Sequence, residues 1–137
     1  MVAIEFILGE NSNRGDVMNR SRQITGKQGE DRAVELLRDH GYQVLERNFR
    51  CRLGEVDIVA KEGQTWCFIE VKARTTTKYG LPEEAVDYRK QNRLRMLANY
   101  YIMQKLRQEV PVRFDVVAIQ CDSNGNLINS RLIKGAF

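Results

Sequence analysis

A single histidine, His40, stands in the 137 residues, and that scarcity narrows the chemistry at once. Sites built on several imidazoles are excluded, and any Ser-His or Cys-His hydrolase mechanism would have to pass through this one ring. His40 directly precedes Gly41 at an expected helix end, where an imidazole commonly meets free carbonyls, so a capping role is the simpler reading. Cysteine is scarce too. Cys51, Cys67 and Cys121 are odd in number, widely spaced and without a C-x-x-C pair, which supports neither a disulfide framework nor a zinc ribbon. Cys67 lies in an apolar run and reads as a small buried hydrophobe. No apolar run approaches the roughly 18 residues of a membrane span, so no membrane partner is expected. The short stretch Val2 to Leu8 has no basic segment before it and no small-residue cleavage site after it, unlike a secretory signal. A cytoplasmic protein is the expectation. For an enzyme, carboxylates and lysines are the tools that remain.

The hydrophobic share of 42% and the charged share of 29% are those of a globular domain, and the length suits one core. The net charge of +4 favours a nucleic-acid partner only weakly. The basic residues gather in three clusters: Arg47, Arg50 and Arg52; Lys72, Arg74 and Lys78; then Arg89, Lys90, Arg93 and Arg95. Solvated faces and phosphate binding account for these clusters equally well.

Residues 1–22 read as a mobile N-terminal arm, because Gly9 to Arg22 is rich in Asn, Ser, Arg and Gly; residues 23–137 read as a single domain. A helix is expected from Thr25, with Ala33, Val34 and Leu37 on one face, Leu36 beside them and Gly41 as its stop. One turn back on that face lies Glu30, an acid in line with apolar residues. A helix-dipole role for Glu30 is the alternative. Strands follow at Tyr42 to Arg47, Glu55 to Ala60 and Thr65 to Ala73, the last two as a hairpin across Lys61-Glu62-Gly63-Gln64. Pro82 is expected to open a second helix through Glu83 to about Arg107, on a stripe of Leu94, Leu97, Ala98, Tyr101 and Ile102 with Lys90 one turn earlier. Strands at Val112 to Ile119 and Leu127 to Ile133 complete the order αβββαββ, an α/β or α+β sheet covered by helices.

The chemistry concentrates in Gly54-Glu55-Val56-Asp57 and Phe68-Ile69-Glu70-Val71-Lys72. Strand side chains alternate, so Glu55 shares a face with Asp57, and Glu70 with Lys72. A two-residue loop at Glu62-Gly63 would set Glu55 opposite Glu70 and Asp57 diagonal to it, all on one side. Neighbouring carboxylates repel each other, and a divalent cation reverses that penalty. All-oxygen donors suit Mg²⁺ or Mn²⁺, with the Ile69 carbonyl as a further donor. Lys72 would then orient or deprotonate a water and neutralise developing charge. The same alternation also fits a solvent-facing charge ladder, although a directly opposed Glu55–Glu70 pair and the apolar neighbours Trp66, Phe68 and Val59 disfavour it.

At these residues the chain resembles the YraN-like uncharacterised bacterial family. The likeness rests on Gly26-Lys27-Gln28-Gly29-Glu30, Gly54-Glu55-Val56-Asp57, Ile69-Glu70-Val71-Lys72-Ala73-Arg74, Arg113-Phe114-Asp115-Val116-Val117-Ala118 and the terminal Ala136-Phe137. That family belongs to the PD-(D/E)XK nuclease superfamily and is related to archaeal Holliday junction resolvases. The resemblance implies a restriction-endonuclease-like fold, a central mixed β-sheet flanked by helices. It also implies a Mg²⁺- or Mn²⁺-dependent endonuclease acting on DNA, with branched or structured duplexes among the expected substrates. Asp57, Glu70 and Glu30 match the metal-binding acids and Lys72 the motif lysine. Glu55 matches the supporting acid of the G-E-x-D motif. Arg74 and Lys90, with Arg52 and Arg93 from the basic clusters, are the candidates for nucleic-acid contact. Val56-Asp57 stands where the superfamily usually has Pro-Asp. Resolvase relatives are symmetric dimers, which adds a homodimer to the expectations. A nucleic-acid-binding module that does not cleave is the second expectation, and a partner-binding structural domain the third.

Overall fold

Ala33, Val34, Leu36 and Leu37 supply the apolar face expected of the first helix, and all four are buried. In the computed structural model, which describes residues 3–8, 26–75 and 86–137, this helix is α1, Gly26–Asp39. It stops where Gly41, at φ +86°, takes the left-handed conformation. The amides of Gly41 and Tyr42 then bond back to the carbonyls of Arg38 and Leu37, each at 3.0 Å. His40 Nδ1 stands 3.0 Å from the Leu36 carbonyl oxygen, the capping position.

The strands are β1 (Ala3–Leu8), β2 (Gln43–Cys51), β3 (Gly54–Glu62), β4 (Thr65–Arg74), β5 (Val112–Cys121) and β6 (Leu127–Lys134), with α2 (Tyr88–Lys105) between β4 and β5. They form one six-stranded mixed sheet in the order β1-β6-β5-β4-β3-β2. The β4–β5 pair is parallel and every other pair antiparallel. A parallel pair needs a crossover, which α2 provides.

Two elements differ from the sequence reading. Ala3–Leu8, read as part of an irregular arm, pairs antiparallel with β6 from Ala3↔Lys134 to Leu8↔Asn129, so the order is βαβββαββ. The run Val2 to Leu8 is rich in strand formers, and β6 would otherwise present an open edge. The rest of the expected arm, residues 9–22, lies outside the described residues. The second helix starts at Tyr88 rather than near Pro82, because the Asp87 carboxylate accepts the Lys90 amide at 2.9 Å and caps it there. Pro82 itself lies outside the described residues.

The helices cover opposite faces of the sheet. The α1 core takes Ile58, Ala60, Cys67, Ile69, Val117, Ile119 and Leu132. The α2 core takes Val56, Val59, Phe68, Val116, Ala118 and Ile133 against Leu94, Leu97, Ala98, Tyr101 and Ile102. Tyr101 meets Phe49 and Phe68 edge-on at 4.9 and 5.6 Å between centroids, which seats α2 across β2, β3 and β4.

The β3–β4 hairpin closes through Gly63-Gln64, with Glu62↔Thr65 and Ile58↔Ile69 paired. The expected loop at Glu62-Gly63 is thus displaced, and with it the expected facing of Glu55 and Glu70. Counting on along the strands sets Asp57 level with Glu70. The displacement is an even number of positions, so it moves no residue to the other face. A local break does so instead: Val56 packs in the α2 core and Ile58, two residues on, in the α1 core. The β3–β4 pairing ends at Ile58↔Ile69, beside this break, and across from it Asn48 adopts φ +56°.

At the hairpin end of the sheet, fully buried Asp115 accepts from Tyr42 Oη at 2.7 Å, Arg113 Nε at 2.8 Å and the Gly135 amide at 2.9 Å. Arg113 also reaches Glu62 at 2.8 Å, and Lys134 holds the other Glu62 oxygen at 2.8 Å. Burial, then Asp115, pushes the Tyr42 hydroxyl well above its ordinary value, so it remains a donor. Asp115→Ala removes the acceptor shared by these groups. We expect it to lower stability by about 3 kcal/mol in urea unfolding. A loss below about 0.5 kcal/mol, the scale of a surface change, would show the cluster to be dispensable.

Candidate functional site

Asp57 stands where β3 and β4 part. Its Oδ2 accepts the Val71 amide at 2.8 Å, so a side chain takes the place of a ladder carbonyl as the paired strands separate. Burial pushes its carboxyl up to about 6, and nearby Glu70 adds to the rise; the Val71 bond opposes it, while Glu30 and Glu55 add smaller contributions. Four acids from α1, β3 and β4 therefore act on one neighbourhood.

Glu70 is buried, 7% exposed, and follows Phe68 on the α2 side of β4. Its Oε2 lies 3.3 Å from Lys72 Nζ and 2.6 Å from Lys90 Nζ. Burial, then the adjacent Lys90, holds the Lys72 amine below its ordinary value, with Glu70 opposing. Burial works against the Lys90 charge as well, but its bond to Glu70 prevails and keeps that amine above its ordinary value.

On the α1 side a cleft of about 700 Å³ is lined by Gly29, Glu30, Arg47, Asn48, Arg50, Glu55, Asp57, Val71 and Ala73. Glu30 Oε1 accepts from Asn48 Nδ2 at 2.9 Å and Arg47 Nε at 3.2 Å, and Arg47 also pairs with Asp31. Glu55 pairs with exposed Arg50 at 2.8 Å rather than confronting Glu70.

The structure therefore brings Glu70, Lys72 and Lys90 together on the α2 side, while Asp57, near enough to Glu70 for the two charges to interact, lines the α1-side cleft. Glu30 and Glu55 line the same cleft as Asp57, each with its own arginine. Arg52, in the β2–β3 turn, and Arg74, at the end of β4, are exposed. So is Arg93, whose side chain lies over Gly54, where a Cβ would stand 3.3 Å from Arg93 Cδ. Among the described residues, none of these three pairs with Glu30, Glu55, Asp57 or Glu70. Asn48 is the lining residue that sequence reasoning missed. No periodicity marks it, since its role rests on a positive φ that a short amide side chain tolerates.

In kind, the donors fit a hard divalent ion: carboxylate oxygens line the cleft and no cysteine does. An acid made reluctant to ionise by burial, and further by negative neighbours, also marks a place where an added cation is favoured. In number they are few. Among the described residues no group of three or more His, Cys, Asp or Glu side chains is arranged to hold a metal ion by itself. Of the acids expected to hold an ion, Asp57 and Glu30 line this cleft and Glu70 does not, so an ion shared by Asp57 and Glu70 would sit where β3 and β4 part.

A profile of the uncharacterised protein family UPF0102 matches residues 29–119. The chain belongs to that family. The match takes in Glu30, Glu55, Asp57, Glu70, Lys72 and Lys90. Among its UPF0102 relatives, a protein of Caldicellulosiruptor saccharolyticus is 46% identical over 117 residues, 85% of this chain and 99% of the relative. One of Moorella thermoacetica is 47% identical over 120 residues, 88% of this chain and 100% of the relative. Among the described residues of this UPF0102 chain, no helix is long and apolar enough to cross a membrane.

The raised Asp57 carboxyl has a direct consequence for stability. The folded chain keeps this proton up to about pH 6, whereas the unfolded chain releases it near 3.8, so the folded form binds more protons in between. Stability contributed by this site accordingly falls as pH rises from about 4 to about 6. Asp57→Asn keeps an acceptor for the Val71 amide and removes the charge. It should match the wild type near pH 4 and exceed it at pH 7 by on the order of 2 kcal/mol. Urea midpoints at both pH values measure this; an equal offset at the two would exclude charge as the cause.

Proposed function

We propose that this chain is a divalent-metal-dependent endonuclease that hydrolyses phosphodiester bonds of DNA, with branched or structured duplexes as the substrate class to try first. The observation that carries this reading is the bond of Asp57 to the amide of Val71, the residue between Glu70 and Lys72, where two strands part beside an open cleft. The mixed sheet with a helix on each face agrees with the restriction-endonuclease-like architecture implied by the motifs. Exposed Arg52, Arg74 and Arg93 around the site suit contact with a phosphate backbone without base readout.

Asp57 and Glu70, with the Ile69 carbonyl, would hold Mg²⁺ or Mn²⁺. When bound, the ion neutralises phosphate charge and lowers the pKa of an attached water. Lys72, held below the ordinary amine value by burial and by Lys90, is suited to take a proton from the attacking water or to bond a phosphoryl oxygen. The Val71 amide fixes Asp57 in one orientation, so the carboxylate needs no rearrangement as charge develops. Water forms a new bond to phosphorus as the bridging ester oxygen leaves, and that oxygen takes up a proton. Glu30 and Glu55, each already bonded to an arginine, hold the cleft wall and the arginines that face incoming phosphate.

A second reading has its own observation. Glu70 is already compensated by two ammonium groups, and such a site could serve a nucleic-acid-binding module that does not cleave.

Nicking of branched and supercoiled DNA in Mg²⁺ and Mn²⁺ separates the two. For the nuclease, Asp57→Ala, Glu70→Ala and Lys72→Ala each reduce cleavage at least about a hundredfold, while DNA affinity persists. For the binding module, no condition gives cleavage, yet affinity falls steeply with salt. Absence of both sinks the nucleic-acid reading altogether.

A further inference from the structure

The Lys90 ammonium lies 2.6 Å from Glu70 Oε2, closer than the Lys72 ammonium of the motif itself at 3.3 Å. It arrives from a different element. The Asp87 cap begins α2 at Tyr88, and the Tyr101 contacts with Phe49 and Phe68 seat the helix, so Lys90 in its first turn overhangs the end of β4. Lys90 remains one-third exposed, with a route to solvent that buried Glu70 lacks. A carboxylate oxygen engaged by two ammonium groups has little left to give a divalent ion. Two positive charges within a few ångströms of that ion would also repel it.

We infer that Lys90 is a resident counter-cation of Glu70, and that a divalent ion binding there must displace it. This rests on the metal-binding reading above and extends it: α2 then sets how tightly the site takes a metal. Lys72, anchored two residues from Glu70 on the same strand, stays beside the carboxylate, whereas Lys90 leaves on its own side chain. The displaced amine would then stand on α2 with exposed Arg89 and Arg93. A phosphate there would receive it. Lys90 is a positioning residue that acts through Glu70.

Calorimetric titration of the full chain with Mn²⁺ tests this, using wild type, Lys90→Met, Lys90→Arg, Arg89→Met and Glu70→Gln. Lys90→Met should bind Mn²⁺ about tenfold more tightly than wild type, since a contact charge has been removed. Arg89→Met removes the same charge from an exposed neighbouring position and should change affinity less than about twofold. Lys90→Arg should stay within about threefold of wild type, because the competing cation is kept. The wild type offers a readout that needs no variant: Mn²⁺ should raise the labelling of Lys90 by an amine-acylating reagent, read by mass spectrometry. If Lys90→Met binds Mn²⁺ no better than wild type while Glu70→Gln loses binding, the metal site stands and the displacement is overturned. If neither wild type nor Lys90→Met binds Mn²⁺, the metal reading falls and takes the displacement with it. Unchanged Lys90 labelling at saturating Mn²⁺ overturns the displacement as well.

Discussion

A carboxylate in a sheet interior must find a donor or a cation, and Asp57 finds the Val71 amide because β3 and β4 stop pairing beside it. Had the ladder run on, that amide would be engaged by a backbone carbonyl and Asp57 would lie on a plain pleated face. The break that frees it is visible in the packing, where Val56 and Ile58 enter opposite cores, and in Asn48, turned to positive φ across from it. The opening of the sheet and the seating of the acid are one event. The surrounding charges are arranged in answer to it.

Each remaining acid of the site is met by a cation from a different element. Glu30 of α1 takes Arg47 from β2, Glu55 takes Arg50 from across the β2–β3 hairpin, and Glu70 takes Lys72 and Lys90. Asp57 is held instead by an amide, and burial with negative neighbours leaves its proton more firmly bound than usual. Such a site is balanced at its rim and under tension at its centre. On the proposed function, a phosphate would compete for the arginines and a cation for the acids, so the two ligands would assist each other.

The opposite end of the sheet solves a similar problem to a different end. Asp115 is as buried as any group in the chain, yet Tyr42, Arg113 and the Gly135 amide satisfy it completely. That cluster ties β2, β3, β5 and the residue after β6 together across the closed hairpin end. Its two acids, Asp115 and Glu62, both have donors. The contrast separates a buried charge satisfied within the fold from one that lines a cleft.

Much was legible from local pattern. The buried face of α1, its stop at Gly41, the α2 stripe from Leu94 to Ile102 and five of the six strands follow from periodicity and turn chemistry, because these are properties of a few adjacent residues. The misplaced hairpin loop cost little between Ile58 and Glu62, since an even displacement leaves those residues on their own faces, but the break beside Asp57 was not legible. Hidden from that reading were the first strand, the Asp87 cap, the turn at Asn48 and the reach of Lys90 to Glu70. Sequence by itself determined which residues are acids, which are amines and, away from the break in β3, which face each would take within its own element. Only the tertiary structure decided which cation meets which acid, because that depends on where β3 and β4 part and where α2 is seated, distances set by packing between residues far apart in the chain.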